Sequence, residues 1–150
     1  MNVTIRRTRR ADARRFLTLV DALADYEKLA RPAPAARTRL MRDGFGAKRR
    51  FDSFIALAGT EAVGYAIVFE TYSSFLAKPT LFLEDIFILK KYRGQGIGKL
   101  LFQKCLAEAR RRRCGRMEWM VLSWNTPAIK FYNNIGARRL IGWLPFRIVL

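Results

Sequence analysis

Residues 81–101, LFLEDIFILKKYRGQGIGKLL, bring together side chains and backbone suited to chemistry. Glu84 and Asp85 stand in an otherwise apolar strand, where alternation sends them to opposite faces. A carboxylate buried in a sheet without a partner is destabilising or shifts its pKa upward. A raised carboxylate just ahead of an anion-binding turn has the properties of a general base. The plainer alternative is that each pairs with one of the 29 Lys and Arg residues. The turn reads Arg93-Gly94-Gln95-Gly96-Ile97-Gly98-Lys99. Its alternating glycines admit a ligand close to the backbone, and the helix after it offers unpaired N–H groups and a positive dipole end. That combination suits a phosphate or pyrophosphate. A Walker loop is excluded because Gly98-Lys99 is followed by Leu100 and position 93 is Arg. The dinucleotide fingerprint is excluded because its third glycine falls on Lys99. An ordinary glycine-rich strand-to-helix connection remains the alternative.

Phe131-Tyr132 adds a second group. If strands 81–90 and 116–122 are neighbours, their C-terminal ends and the helix carrying this pair converge on one site. A Tyr132 hydroxyl there has the chemistry to protonate a leaving thiolate, although such a pair also suits a plain core. The chain has no histidine, so acid–base work falls to carboxylate, Tyr, Cys, Lys or water. Its two cysteines, Cys105 and Cys114, fall in a predicted helix over 97–114, ~13 Å apart along the axis. A disulfide between them is excluded if that helix is continuous, and no zinc site is expected.

The elements that must position these groups follow from periodicity. Residues 2–7 alternate as a short strand. Asp12 is placed to cap a helix over 13–30, ended by Pro32 and Pro34. A short helix over 34–42 closes on Asp43-Gly44-Phe45-Gly46. Strands at 54–57 and 63–69 are joined by a hairpin at Gly59-Thr60-Glu61, and 71–80 reads as a polar and aromatic loop before the strand at 81–90. After the helix over 97–114 and the strand over 116–122, Thr126 as N-cap and Pro127 open a helix that runs through Ile135 and stops at Gly136. Residues 138–150 read as two closing strands broken near Gly142 to Pro145. The glycine turn lies in a βαβ crossover, which makes 81–90 and 116–122 parallel neighbours. The predicted architecture is one mixed α/β sandwich of sheet and helices.

At 150 residues a single domain is expected, large enough for a real core. No apolar run approaches the ~18 residues that span a bilayer, and the basic N-terminus lacks the apolar region of a signal peptide. A soluble, cytoplasmic protein with no membrane partner is expected. The net charge of +17 attracts polyanions or a phosphorylated ligand, which leaves a nucleic-acid partner open. The run Arg110 to Arg113 complements the negative end of its helix, or contacts nucleic acid.

Several segments together carry a family resemblance: ALADYEKL (22–29), DGFG (43–46), VGYAIVFETY (63–72), FLEDIFILKKYRGQGIG (82–98), RRRC (111–114) and WNTPAIKFY (124–132). In this order they resemble the GCN5-related N-acetyltransferases (GNAT), in the diamine branch of spermidine/spermine N1-acetyltransferase-like proteins. The resemblance implies a GNAT fold, a central mixed sheet of about six or seven strands flanked by helices, with 81–90 and 116–122 splayed. It implies acetyl-CoA as co-substrate, with the pantetheine arm along Ile86, Phe87 and Ile88. The pyrophosphate would lie on Gly94, Gln95, Gly96, Ile97, Gly98 and Lys99 beside Arg93, with further contacts from Asn125, Thr126, Pro127 and Ala128. Glu84 matches the residue that deprotonates the amine through water, and Tyr132 the one that protonates the CoA thiolate. Tyr26, Glu27, Glu118, Trp119 and Met120 match acceptor-side positions. A homodimer is implied.

Where polyamine enzymes have a Thr-Tyr-Asp-Pro-Trp type sequence, this chain has Thr71-Tyr72-Ser73-Ser74-Phe75, without the acid and the Trp that grip a cation. Glu27, Glu84, Asp85 and Glu70 remain to form a local acidic pocket. The expected activity is direct acetyl transfer from acetyl-CoA to a primary amine of a small molecule, such as a diamine, polyamine or amino-acid analogue. A protein Lys or N-terminal amine is the alternative acceptor, and a nucleic-acid-binding module on the same fold is the alternative of another class.

Overall fold

The computed structural model describes residues 2–150. The chain divides into two compact units, one ending at Trp119 and the other comprising Met120–Leu150.

The first unit is built on a five-stranded sheet in chain order: β1 (Val3–Arg7), β2 (Asp52–Ala58), β3 (Glu61–Ser73), β4 (Lys78–Ile88) and β5 (Arg116–Glu118). β1 to β4 pair antiparallel, and β5 pairs parallel with β4. The parallel pair is the one predicted, because a helical crossover is the connection that parallel strands need. Helices α1 (Ala13–Glu27) and α2 (Pro34–Phe45) cover one face. Phe16 and Leu19 of α1 are buried among Ile55, Leu57, Tyr65, Ile67 and Phe87, and Leu40, Met41 and Phe45 of α2 pack on them. Helix α3 (Ile97–Arg111) covers the other face, where Ile97, Leu101, Phe102 and Cys105 are buried.

Several local expectations are corrected. The first helix ends at Glu27, because Lys28 turns left-handed (φ 59°) and caps it. Asp12 stands at its N-cap position, but its carboxylate is held by Arg6 at 2.7 and 2.9 Å and by the Arg9 N–H at 2.7 Å. The loop expected over 71–80 is mostly strand: Thr71, Tyr72 and Ser73 pair with Thr80, Pro79 and Lys78. Pro79 is tolerated because it lies at the strand's beginning. α3 stops at Arg111, so Cys114 lies beyond it; both cysteines are free. β5 ends at Glu118 rather than at residue 122.

The arginines that end α3 are partly structural. Glu108, buried on α3, accepts from Arg111 at 2.6 Å and from Arg112 at 2.7 Å. Arg112 also reaches Asp52 at 2.5 Å and Glu70 at 3.5 Å. The Arg111 and Arg112 hydrogen bonds hold the Glu108 carboxyl down at about 2.

The second unit contains helix α4 (Thr126–Asn134). Its N-cap is Asn125, whose side-chain oxygen accepts from the Ala128 N–H at 3.4 Å, so Thr126 is the first helical residue rather than the cap. Residues 138–150 form no strand, which brings the sheet to five strands among the described residues instead of six or seven. A strand exists only with a hydrogen-bonded neighbour, and no ladder reaches this segment. Ile141, Trp143, Phe146 and Ile148 are correspondingly exposed.

Candidate functional site

The two carboxylates of β4 do not point to opposite faces. On β3, Ile67 pairs with Asp85 but Val68 pairs with Leu83, so Glu84 is the extra residue of a β-bulge. Leu83 shares a face with Val68, and Asp85 shares the opposite face with Ile67, Tyr65 and Phe87. Alternation forward from Leu83 puts Glu84 on the side of Asp85, and the charge of Glu84 acts there on both Asp85 and Glu27. Bulges re-aim side chains in this way, and they recur beside active sites.

That side also holds Glu27 at the end of α1. Glu27 is raised above the usual carboxylate range by burial and then by the charge of Glu84. Asp85 is pushed up to about 6 by burial; the Tyr65 hydroxyl, which donates to its Oδ2 at 3.0 Å, pulls the other way, and Glu84 and Glu27 add to the rise. Tyr65 is itself fully buried, and burial and then the charge of Asp85 hold its hydroxyl firmly protonated. The strongly raised carboxylate is thus Asp85, while Glu84 is exposed at the bulge. Sequence reasoning missed Tyr65. Its signal was a hydroxyl-bearing ring in mid-strand among apolar neighbours, a residue type that needs a polar partner when buried. Glu70 does not join this cluster, since it faces Arg112.

Tyr26 packs its ring on Phe87, centroids 6.1 Å apart. The Arg93 guanidinium lies 4.5 Å from the Tyr26 centroid and donates from Nε to the Ile88 carbonyl at 2.8 Å. Arg93 thereby ties the start of the glycine turn to the end of β4 and to the last turn of α1.

β4 pairs with β5 only over Thr80–Phe82, so the edge carrying Ile86, Phe87 and Ile88 continues past the last β5 partner. A single 3-10 turn, Lys90–Tyr92, separates β4 from the glycine turn. Gly94 and Gly96 have φ of 75° and 78°, and a Cβ built on either meets no atom within 4 Å. Gly96 is the α3 N-cap, and Gln95 turns its side chain back onto the Lys91 carbonyl at 3.3 Å. Ile97 is buried, Gly98 lies in the first helical turn, and Lys99 is exposed. An unencumbered backbone, a helix N-terminus and nearby Lys and Arg suit a pyrophosphate, and the open β4 edge suits the amides of a pantetheine arm. The residues present therefore fit acetyl-CoA.

The remaining candidates divide between the units. Glu118 is salt-bridged to Arg116 at 3.1 Å, and Trp119 makes an edge contact with Phe102, centroids 5.4 Å apart. Met120, Asn125, Thr126, Pro127, Ala128 and Tyr132 belong to the second unit. There Tyr132 is half-buried on α4 in an edge contact with Phe131, centroids 5.5 Å apart. Cys105 is buried with its thiol pushed up to about 12 by burial, a packing residue rather than a nucleophile.

Known proteins share this sequence and fold. Thialysine N-epsilon-acetyltransferase of Mus musculus is 32% identical over 95% of this chain and 90% of its own length. Spermidine/spermine N(1)-acetyltransferase-like protein 1 of Homo sapiens is 32% identical over 95% of this chain and 22% of its own. The crystal structure of an aminoglycoside acetyltransferase from an uncultured soil metagenomic sample superposes with a TM-score of 0.83, covering 99% of this chain and 96% of that one at 18% identity, a likeness of fold. Residues 16–137 match the acetyltransferase (GNAT) family. The chain is an N-acetyltransferase of the GNAT family, in its diamine acetyltransferase-like branch.

Proposed function

We propose that this enzyme transfers an acetyl group from acetyl-CoA directly to a primary amine of a small cationic molecule, an amino-acid analogue, diamine or polyamine. The observation that carries this reading is the bulge at Glu84, which gathers Glu84 and Asp85 on the side of Glu27. Three carboxylates at one place favour an ammonium group even on a chain of net charge +17, because the general field is screened over ~8–10 Å in physiological salt. The thialysine substrate in the name of the mouse relative supports an amino-acid analogue.

Acetyl-CoA supplies the activated acetyl thioester. Within the chain, Asp85, held by the Tyr65 hydroxyl, anchors the acceptor together with Glu27 and Tyr26. Glu84, exposed at the bulge, takes a proton through water. An alkyl ammonium with a pKa of ~10.4 must lose that proton before it can attack. A strand N–H of Ile86 to Ile88 stabilises the developing oxyanion, and Tyr132 supplies the proton at the departing sulfur. No covalent enzyme intermediate is needed. We assign both units to one catalytic domain, a reading supported by the match over residues 16–137. The exposed apolar side chains of residues 140–150 favour a homodimer. The two free cysteines favour a reducing, cytoplasmic location.

The test is a panel of diamino acids, diamines, polyamines and lysine peptides with purified protein and acetyl-CoA, following free thiol. Turnover is expected with the small cationic amines. Turnover confined to peptides would replace the acceptor class, and no turnover together with no acetyl-CoA binding would overturn the reading.

A further inference from the structure

The end of β1, the start of β2 and the last turn of α2 line a half-open cavity of ≈ 190 Å³. It lies at the β1 side of the sheet, whereas the glycine turn follows β4. Arg7, Arg9, Arg10 and Arg49 line it, against the single carboxylate of Asp52. Asp52 is already matched by cations: Arg7 pairs with it, Arg49 reaches it at 3.2 Å and Arg112 at 2.5 Å. Arg9 and Arg10 make no ion pair among the described residues, and both are exposed.

Thr8 lines the same cavity and is 8% exposed, yet its hydroxyl oxygen has no hydrogen-bond partner. Its backbone N–H donates to the Ser53 carbonyl at 2.9 Å, which fixes the residue in place. Buried hydroxyls in native proteins are nearly always satisfied, so an orphan one asks for a missing partner. Water would satisfy the hydroxyl but would not account for the uncompensated guanidinium groups. A cation is repelled, and an apolar ligand leaves the hydroxyl orphaned. A compact oxyanion answers both features, accepting from Thr8 while its charge meets Arg9 and Arg10, geometry in which guanidinium groups are strong donors. At ~30 Å³ per water the cavity has the volume of about six waters, room for a phosphate group and part of what carries it.

We propose that this cavity binds a phosphate group, either inorganic phosphate or the phosphate of a small monoester. The proposal does not depend on the acetyl-transfer reading, because none of the residues assigned to transfer lines the cavity.

The test is calorimetric titration with inorganic phosphate and, separately, a sugar monophosphate. It compares the wild type with Thr8→Val, Thr8→Ser, the double variant Arg9→Gln/Arg10→Gln, and Arg110→Gln as a charge control away from the cavity. Thermal melts accompany each to verify folding. Phosphate bound at the glycine turn is untouched by changes at Thr8 and drops out of the comparison. Thr8→Val is expected to weaken binding at least about tenfold, as loss of a hydrogen bond to a charged group does. Thr8→Ser should keep the affinity, the Arg9/Arg10 variant should lose most of it, and Arg110→Gln should leave it unchanged. In phosphate-free buffer Thr8→Val should melt no lower than wild type, since it removes an unsatisfied buried group. The tighter of the two ligands identifies the source of the phosphate. Equal affinity of wild type and a folded Thr8→Val overturns the site, as does an equal loss in Arg110→Gln, which would show only diffuse charge. Binding of an oligonucleotide that neither phosphate ligand displaces, with no phosphate affinity, also overturns it.

Discussion

Replacing Asp85 by Asn should make the protein more stable and a worse enzyme. The Asp85 carboxyl sits at about 6 in the folded chain against 3.8 when unperturbed, chiefly because of burial. Its folded pKa is raised, so between these values the folded chain holds a proton that the unfolded chain has released. Stability therefore falls as pH rises through that window, by about 1.4 kcal/mol per unit. Roughly two units give an order of 3 kcal/mol, lost in full above the folded pKa. Asp85→Asn keeps the shape and an acceptor for the Tyr65 hydroxyl but never ionises. Urea denaturation of wild type and variant at about pH 4 and pH 7.5 should give nearly equal stability at the lower pH. At the higher pH the variant should be ahead by up to about 3 kcal/mol. With the anchoring charge gone, KM for a cationic amine should rise about tenfold or more, a hydrogen bond to a charged group being worth ~1.5 kcal/mol or more. A stability difference that does not change between the two pH values, or a variant less stable at neutral pH, would refute the burial argument.

Other perturbations test the remaining assignments. Tyr132→Phe should lower kcat about a hundredfold or more while acetyl-CoA affinity, read by calorimetry, stays near wild type; an unchanged kcat removes Tyr132 as the acid. Glu84→Gln should lower kcat about a hundredfold or more while KM for the amine stays near wild type, and an unchanged kcat places the base elsewhere. Gly64→Ala should destabilise by about 2 kcal/mol or more, because its Cβ would come within 2.4 Å of the Ile88 side chain and 2.7 Å of the Phe87 carbonyl oxygen. It should also weaken acetyl-CoA binding by shifting the β4 edge, and a neutral urea midpoint would contradict the close packing of β3 on β4. Glu108→Gln should cost about 3 kcal/mol at neutral pH, leaving Arg111 and Arg112 without their shared carboxylate. The Glu108 carboxyl is lowered from 4.5 to about 2, so wild-type stability should fall as pH drops through that range and the variant's should fall less.

Much of this protein is written in short-range pattern. The order of elements through α4, the parallel partnership of β4 and β5, and the glycine turn opening α3 follow from apolar periodicity, from Gly and Pro, and from the length of a crossover. These are properties of a chain segment and its immediate neighbours, and each is legible there. The side to which Glu84 points is not such a property. Alternation assigns opposite faces to Glu84 and Asp85; the register of β4 against β3 inserts a bulge between them and gathers both toward Glu27, residues distant in sequence. The same dependence on partners explains Tyr65, whose polar role exists only once Asp85 lies within reach, and residues 138–150, whose alternating pattern finds no ladder. Composition put 29 cations on the chain, but only the fold could decide that Arg111 and Arg112 close on Glu108 while Arg9 and Arg10 face a cavity with Thr8. Sequence alone determined the order of the elements and the glycine turn that opens α3. Tertiary structure decided which charges meet, because electrostatics and hydrogen bonds act over a few ångströms of space regardless of separation along the chain.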